Sequence, residues 1–170
     1  ASYFHRFRKF AVYPSMSIDS QNNIHILWTA ETIRSNGQIN TSLNYKKLDG
    51  SGNELVNRVI LARNNRINWL DSEAENSGKL NVIFAQQETD GKIGIRYLNV
   101  DKFGNFFETI VRPANPSADP TRPDLAIDKN GNSYVAWKEK SLPNKTDLNA
   151  YYSKILPNGN IAINKMPVAN

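Results

Sequence analysis

The chain has 170 residues, 39% of them hydrophobic, with a net charge of +5 and no cysteine. This composition suits one folded domain and excludes a disulfide framework, a thiol nucleophile and an iron–sulfur cluster. The basic excess lies at the N-terminus, at Arg6, Arg8 and Lys9, so we expect no nucleic-acid partner; no apolar run is long enough for a membrane span.

The elements predicted in chain order are short β-strands, because β-branched and aromatic residues recur and no helical period is sustained. Residues 6–12 come first and predict a lone strand. Three segments of four predicted strands follow, which we label a, b, c and d within each segment; they are 14–62, 67–113 and 123–170. Asn-Asn, Asn-Gly and Gly-Asn pairs separate strand a from b and c from d, as tight hairpins require.

The three segments are an internal repeat with a period of 52 to 57 residues. Three sets of positions correspond: Asp19, Asp71 and Asp128; Trp28, Phe84 and Trp137; Tyr45, Tyr97 and Tyr152. Four antiparallel strands repeated at about this period are typical of β-propeller blades.

The sequence therefore predicts an all-β fold, a β-propeller segment over residues 1–170. It has three four-stranded antiparallel blades and one extra N-terminal outer strand within 1–13. Closed propellers have about 4–8 blades, so we expect other copies of the chain, or further blades of a longer chain, to complete the ring. A start at Ala1, without a signal peptide, fits a processed or excised chain.

The pattern P-x-x-x-x-D…G-N…V-x-W…Y-Y-x-K-L…G-N over 14–170 resembles extracellular β-propellers of the sialidase-like, BNR-repeat type from bacteria and archaea. The resemblance implies an extracellular or cell-surface location. It leaves the function open, because surface-layer proteins, sugar-binding modules and sialidases share these blades. The strict box S-x-D-x-G-x-T-W is not kept, since nine residues separate Asp19 from Trp28 and Asp128 from Trp137.

The resemblance to sialidases implies an arginine triad that binds a substrate carboxylate and a tyrosine activated by a glutamate. Residues at suitable places are Arg66, Arg112, Arg122, Glu139 and Tyr151. Solvated loop charges account for the same residues, and we favour that interpretation.

Two other groups of side chains are candidates for binding. Aromatic rings at the end of strand b and charged residues after them predict a ligand-binding rim on the b–c and d–a loops, formed by Trp28, Glu31, Arg34, Glu88, Trp137 and Glu139; packing between blades is the favoured alternative for the rings. Asp128, Asn130 and Asn132 have the spacing of calcium-loop ligands, although Asp and Asn also stabilise plain turns. We expect no cofactor, with calcium as the alternative.

The leading hypothesis from the sequence is a non-enzymatic extracellular module for binding, adhesion or surface scaffolding, with a glycan or a surface protein as its ligand. The alternatives are part of a sialidase-like glycoside hydrolase propeller and a structural repeat of a coat or appendage.

Overall fold

The computed structural model describes residues 8–33, 37, 39–63, 66–88, 90–112, 118–141 and 148–169. Within these ranges the chain forms strands only, and no helix in them is long and apolar enough to cross a bilayer. The strands are β1 (Arg8–Ile18), β2 (Ile24–Ile33), β3 (Ile39–Leu48), β4 (Glu54–Arg63), β5 (Arg66–Ala74), β6 (Leu80–Gln87), β7 (Ile93–Val100), β8 (Phe106–Arg112), β9 (Ala118–Ile127), β10 (Ser133–Ser141), β11 (Leu148–Ile155) and β12 (Ile161–Ala169).

The strands pair into three four-stranded antiparallel sheets in the orders β1-β2-β3-β4, β5-β6-β7-β8 and β9-β10-β11-β12. The first strands of successive sheets, β1, β5 and β9, contact one another and form the inner edge of the assembly. Each sheet is therefore one blade, and the predicted all-β propeller architecture is confirmed.

The inner strand of the first blade begins earlier than the sequence suggested. Residues 8–12, expected within an outer strand of a preceding blade, pair with β2 as the first half of β1, with Val12 opposite Thr29. A bulge between Val12 and Ser15 contains Tyr13, at φ 50°, and Pro14. Because a bulge position needs no ladder N–H, proline is tolerated there and the strand continues through it.

The same bulge occurs in the inner strand of every blade. Trp69 and Arg122 repeat the positive φ of Tyr13, at 48° and 52°, and the register of β5 and β9 slips at the same place. Non-glycine residues rarely adopt this backbone conformation, so its recurrence identifies a built-in feature of the blade. The residues two positions after the positive φ are equivalent: they are Ser15, Asp71 and Asp124, which pair with Leu27, Ile83 and Ala136.

This register corrects the sequence alignment of the second blade. Asp19, Glu75 and Asp128 each begin the five-residue turn between strands a and b, in which the first N–H donates to the fifth carbonyl. Asp71, expected to match Asp19, lies four residues earlier, inside β5. The sequence alignment matched aspartate with aspartate, whereas the first position of this turn is occupied by aspartate in two blades and by glutamate in the other.

The hydrophobic core consists of two seams between blades. The seam between blades 1 and 2 contains Leu27, Leu43, Tyr45, Leu80, Val82, Phe84 and Val100. The seam between blades 2 and 3 contains Ile83, Ile95, Tyr97, Val111, Val135, Trp137 and Ile155. Because both faces of blade 2 are covered, β6 is buried at nearly every position and does not alternate.

The c–d turn of each later blade packs on the outer strand of the blade before it. A Cβ atom built on Gly104 would lie 2.9 Å from Cγ1 of Val56 and 3.3 Å from Cγ2 of Val59. The turn around Gly159 approaches Phe107 in the same way, and the Thr109 hydroxyl donates to the Gly159 carbonyl at 3.0 Å. These turns therefore contribute to both seams.

The close approach at Gly104 predicts a destabilising effect of Gly104→Ala. Gly104→Ala and Gly91→Ala place alanine at nearly the same backbone conformation, φ 90° and 83°, but the new methyl at Gly91 meets only a flexible amide at 3.9 Å. Val56 is buried, and its β-branched side chain has few alternative rotamers. We expect Gly104→Ala to cost about 1–3 kcal/mol more than Gly91→Ala in urea unfolding. Equal losses would show that the turn does not pack closely on β4.

Candidate functional site

Two carboxylates from neighbouring blades meet at the inner strands. Asp71 on β5 points towards blade 3, where its Oδ2 accepts the backbone N–H of Leu125 at 3.0 Å. Oδ1 of Asp124 accepts the same N–H at 3.2 Å, and the two carboxyl groups are within hydrogen-bond reach of each other. Among the described residues no lysine or arginine forms an ion pair with either group. We call Asp71 and Asp124 the inner carboxylate pair.

The surroundings of this pair favour retention of a proton. Burial raises the pKa of the Asp71 carboxyl, and its hydrogen bond with Asp124 raises it further, outweighing the N–H groups of Leu125 and Ser72. Burial also raises the pKa of Glu73, two residues later on the same face of β5, and Asp71 adds to that effect. The contact with a second carboxylate thus disfavours the ionised form of Asp71.

A cavity of about 460 Å³ lies on the side of the a–b turns, between blades 2 and 3, and neither Asp71 nor Asp124 lines it. Glu73 lines it and so connects it to the strand that carries Asp71. The other walls include Glu75, Ser77, Ile127, Asn130 and Pro157. A cavity of this size, with apolar and polar walls, suits a small molecule or one residue of a larger chain.

The proposed calcium ligands form a turn anchored on one carboxylate. Oδ1 of Asp128 accepts the N–H groups of Asn130 and Asn132 at 2.8 and 2.9 Å, and Oδ2 accepts Nδ2 of Asn132 at 2.8 Å. The hydrogen bond from the Asn132 side chain, together with the backbone N–H groups of Asn132 and Asn130, lowers the pKa of Asp128 to about 2. Asp49 and Asp101 anchor turns of the same pattern. Because donors occupy both carboxylate oxygens, the geometry corresponds to a turn and does not fit a cation site.

Glu139 lies in the seam between blades 2 and 3 and is 5% exposed. Its Oε2 accepts Nε of Arg112 at 3.1 Å and Nε1 of Trp137 at 3.2 Å, while its Oε1 accepts Nη2 of Arg112 at 3.0 Å and Nζ of Lys165 at 2.7 Å. Burial acts to raise the pKa of Glu139, but these donors outweigh burial and hold the pKa below its ordinary value. Glu139 thus ties the outer strands of two blades together.

The predicted catalytic residues are brought together only in part. Tyr151 lies beside the Glu139 group, with its ring 6.0 Å from that of Trp137 and Nζ of Lys165 4.5 Å from its centroid. Arg66 begins β5 and Arg122 occupies the bulge of β9, and both are exposed. Since the Arg112 guanidinium is engaged by Glu139, this arrangement does not form an arginine triad around a free substrate position.

The aromatic residues expected to form a ligand-binding rim lie mostly in the seams between blades. Trp137 is 2% exposed and Phe84, its equivalent in blade 2, is fully buried, which favours packing over sugar stacking. Glu88 forms an ion pair with Arg96, and Glu31 is half-buried. Trp28 is also half-buried, on the uncovered side of blade 1. Arg34 lies outside the described residues.

A second buried polar group lies in blade 1. Oδ1 of Asp19 accepts the N–H groups of Gln21 and Asn23, and its Oδ2 accepts Nδ2 of Asn23, Nε2 of His25 and Nζ of Lys47, all at 2.9–3.2 Å. Burial opposes ionisation of Asp19, yet these donors hold its pKa well below the ordinary value. Lys47 also donates to the Gly78 carbonyl at 3.3 Å, which connects the group to blade 2.

His25 in this group is neutral. Burial lowers the pKa of His25 despite its contact with Asp19, and Lys47 lowers it further. An ionised carboxylate can only accept, so Nε2 of His25 carries the proton and Nδ1 accepts from the Tyr45 hydroxyl at 3.0 Å. The group is sealed in the seam and offers no place for a ligand.

Sequence reasoning missed the inner carboxylate pair, because Asp71 was aligned with Asp19 and Asp128. Pro14-Ser15 and Pro123-Asp124 are a signal that could have located it: a proline followed by a short polar residue marks the bulge in two blades. Blade 2 has no proline there, so Asp71 becomes recognisable only through its pairing with Ile83.

No protein-family model matches the chain, and no curated protein matches it in sequence. Among solved structures it is similar to an endo-arabinase from Bacteroides thetaiotaomicron, with 15% identity and a TM-score of 0.50. It is also similar to a GH43_1 enzyme from Xanthomonas citri complexed with xylose, with 13% identity and a TM-score of 0.52. The matches cover 93% and 94% of this chain but 54% and 55% of the two enzymes. The chain therefore shares their fold over about half of their length.

These comparisons correct two expectations. The sialidase-like, BNR-repeat type is not supported, because the matched propeller-like structures are an arabinase and a GH43_1 enzyme. The leading hypothesis of a non-enzymatic module for binding or scaffolding is contradicted by the same finding, because both matched proteins are enzymes. Of the alternatives, a glycoside hydrolase is the one in keeping with them.

Proposed function

We propose that the chain is part of a glycoside hydrolase that acts on glycans containing arabinose or xylose. The observation that carries the proposal is the inner carboxylate pair, Asp71 and Asp124, in which the pKa of Asp71 is raised, on the same strand as Glu73, which lines a cavity. The matched enzymes, an endo-arabinase and one complexed with xylose, support the substrate class.

Glycoside hydrolysis needs a carboxylic acid that is still protonated at the working pH, so that it can protonate the leaving oxygen. Burial of Asp71 and its contact with Asp124 raise its pKa, which acts in that direction. In the proposed reaction Asp71 donates its proton to the glycosidic oxygen as the bond to the anomeric carbon breaks. Asp124 keeps the pKa of Asp71 raised.

A second carboxylate must activate water on the other side of the sugar. Asp71 and Asp124 are too close together to share the two roles, because inverting enzymes separate the two carboxyl groups by about 6.5–9.5 Å and retaining enzymes by about 5–5.5 Å. Glu73 is two residues from Asp71 on the same face of β5, a backbone distance of about 6.6–6.8 Å. We assign Glu73 as the base that takes a proton from the attacking water.

Replacement of Asp71 tests the assignment. Asparagine resembles the protonated carboxyl in shape but cannot transfer its proton, so Asp71→Asn should fold normally. We expect aryl α-L-arabinofuranosides or aryl β-D-xylosides to be hydrolysed, and Asp71→Asn to lower kcat by about 10²–10⁴-fold. Glu54→Gln removes an exposed carboxylate on β4 and should leave kcat unchanged.

Two results would contradict the proposal. One is the absence of hydrolysis of both aryl glycosides by the folded protein. The other is hydrolysis that Asp71→Asn leaves at the rate of the unaltered chain, with circular dichroism showing that the variant is folded.

A further inference from the structure

We infer that two copies of this chain associate head to tail, so that the uncovered face of blade 1 in one copy packs on the uncovered face of blade 3 in the other. The inference rests on the packing of the three blades. Each seam joins the following-side face of one blade to the preceding-side face of the next. Within the described residues, one face of blade 1 and one face of blade 3 have no neighbouring blade.

The uncovered face of blade 1 is apolar and is equivalent to a face that is buried in blade 2. In blade 2, Leu80, Val82 and Phe84 point towards blade 1 and are 0% exposed. Their equivalents by register in blade 1 are Ile24, Ile26 and Trp28, which are only half-buried. Beside them Met16 and Ile18 are 66% and 57% exposed. We call these five residues of blade 1 the head face.

The uncovered face of blade 3 includes the outer-strand positions on which, in blades 1 and 2, the c–d turn of the next blade packs. Val56 and Val59 receive the Gly104 turn, and they lie opposite Lys47 and Tyr45 on β3. The same positions opposite Lys154 and Tyr152 on β11 are occupied by Ile163 and Met166. Met166 is 50% exposed. Beside these residues is a shallow cavity of about 150 Å³ whose lining includes Tyr134, Ala136 and Tyr152. We call these five residues of blade 3 the tail face.

The turn that would occupy the tail face is present at the other end of the same chain. Gly52, at φ 89°, is equivalent to Gly104 and Gly159, but a Cβ atom built on it meets nothing within 4 Å. The turns around Gly104 and Gly159 both press on the outer strand of the preceding blade. By the same geometry, the Gly52 turn of one copy fits against Ile163 and Met166 of another.

A second copy of the chain can cover both faces at once, because it brings a tail face for the head face and a head face for the tail face. Two copies of three blades make six, within the range of about 4–8 blades that closed propellers use. A two-fold axis then repeats one head-to-tail contact twice, and no uncovered end remains.

The experiment is the mass in solution, measured by size-exclusion chromatography with light scattering at micromolar concentration. We expect twice the monomer mass of 19.2 kDa. Ile18→Glu, on the head face, and Met166→Glu, on the tail face, should each give monomers. Ile110→Glu places the same charge at an exposed apolar residue of β8, away from both end faces, and should leave the dimer intact.

Mixing the two variants distinguishes head-to-tail packing from other arrangements. In a mixed pair one contact joins the two altered faces, but the other joins an unaltered head face to an unaltered tail face, so mixing should restore a dimer. A monomeric unaltered chain would overturn the inference. It would also be overturned by a dimer that survives both variants, or by one that is lost only with Ile18→Glu, which would indicate that two head faces pack on each other.

Discussion

Glu139→Ala is expected to destabilise the protein by about 3–5 kcal/mol. The substitution leaves the buried Arg112 guanidinium and the Lys165 ammonium without the carboxylate that neutralises them, and the loss of one member of a buried ion pair has a cost of this size. It also removes the acceptor of the Trp137 indole N–H in the seam between blades 2 and 3. Urea unfolding followed by tryptophan fluorescence measures the loss.

Two further variants distinguish the cost of leaving Arg112 without its carboxylate partner from the cost of the packing lost with the Glu139 side chain. Glu139→Met combined with Arg112→Met replaces the pair with apolar side chains and should recover much of the stability lost in Glu139→Ala. Glu54→Ala removes an exposed partner of Lys46 and serves as the matched control; its effect should be near zero, as for other surface ion pairs. If Glu139→Ala were as mild as Glu54→Ala, the seam would not depend on this carboxylate.

Asp19→Ala is expected to cost a similar amount, about 3–5 kcal/mol, because it leaves Lys47 charged, buried and unpaired. Lys47 is 3% exposed, and its remaining acceptor is the Gly78 carbonyl. Thermal or chemical unfolding measures the change, and the double variant Asp19→Ala/Lys47→Met should be more stable than Asp19→Ala alone.

The chain contains its own control for this experiment. Asp49 anchors a turn of the same hydrogen-bond pattern, accepting the N–H groups of Ser51 and Asn53 and the Asn53 amide, but these bonds are exposed and no lysine or arginine among the described residues forms an ion pair with it. Asp49→Ala should therefore be clearly milder than Asp19→Ala. Equal losses would mean that the turn, and not the buried charge of Lys47, accounts for the effect.

The blades were predictable from the sequence because their signals are local. Tyr45, Tyr97 and Tyr152 recur at one place in strand c, and glycine and asparagine mark the hairpins next to them. The bulge of the inner strand was not predicted, because the positive φ at Tyr13, Trp69 and Arg122 has no common residue type and a proline follows it in only two of the three blades. For that reason the described part of 6–12 was expected to belong to a separate strand, whereas it continues into β1.

The candidate site was harder to predict because it forms between blades. Asp71 and Asp124 are 53 residues apart in sequence and meet only because two inner strands lie side by side. Glu139 was recognised as a candidate from its place after strand b, but its neighbours Arg112 and Lys165 come from the outer strands of two blades. Spacing along the chain carries no information about such contacts.

Each sheet consists of four strands that are consecutive in the chain, and no blade takes a strand from another. Most contacts between strands therefore lie within one blade, and the described parts of adjacent blades meet at their shared seam. The stability of such a chain is approximately the sum of the blades and of the seams between them. In a single copy we expect blade 2, which is held from both sides, to unfold after blades 1 and 3.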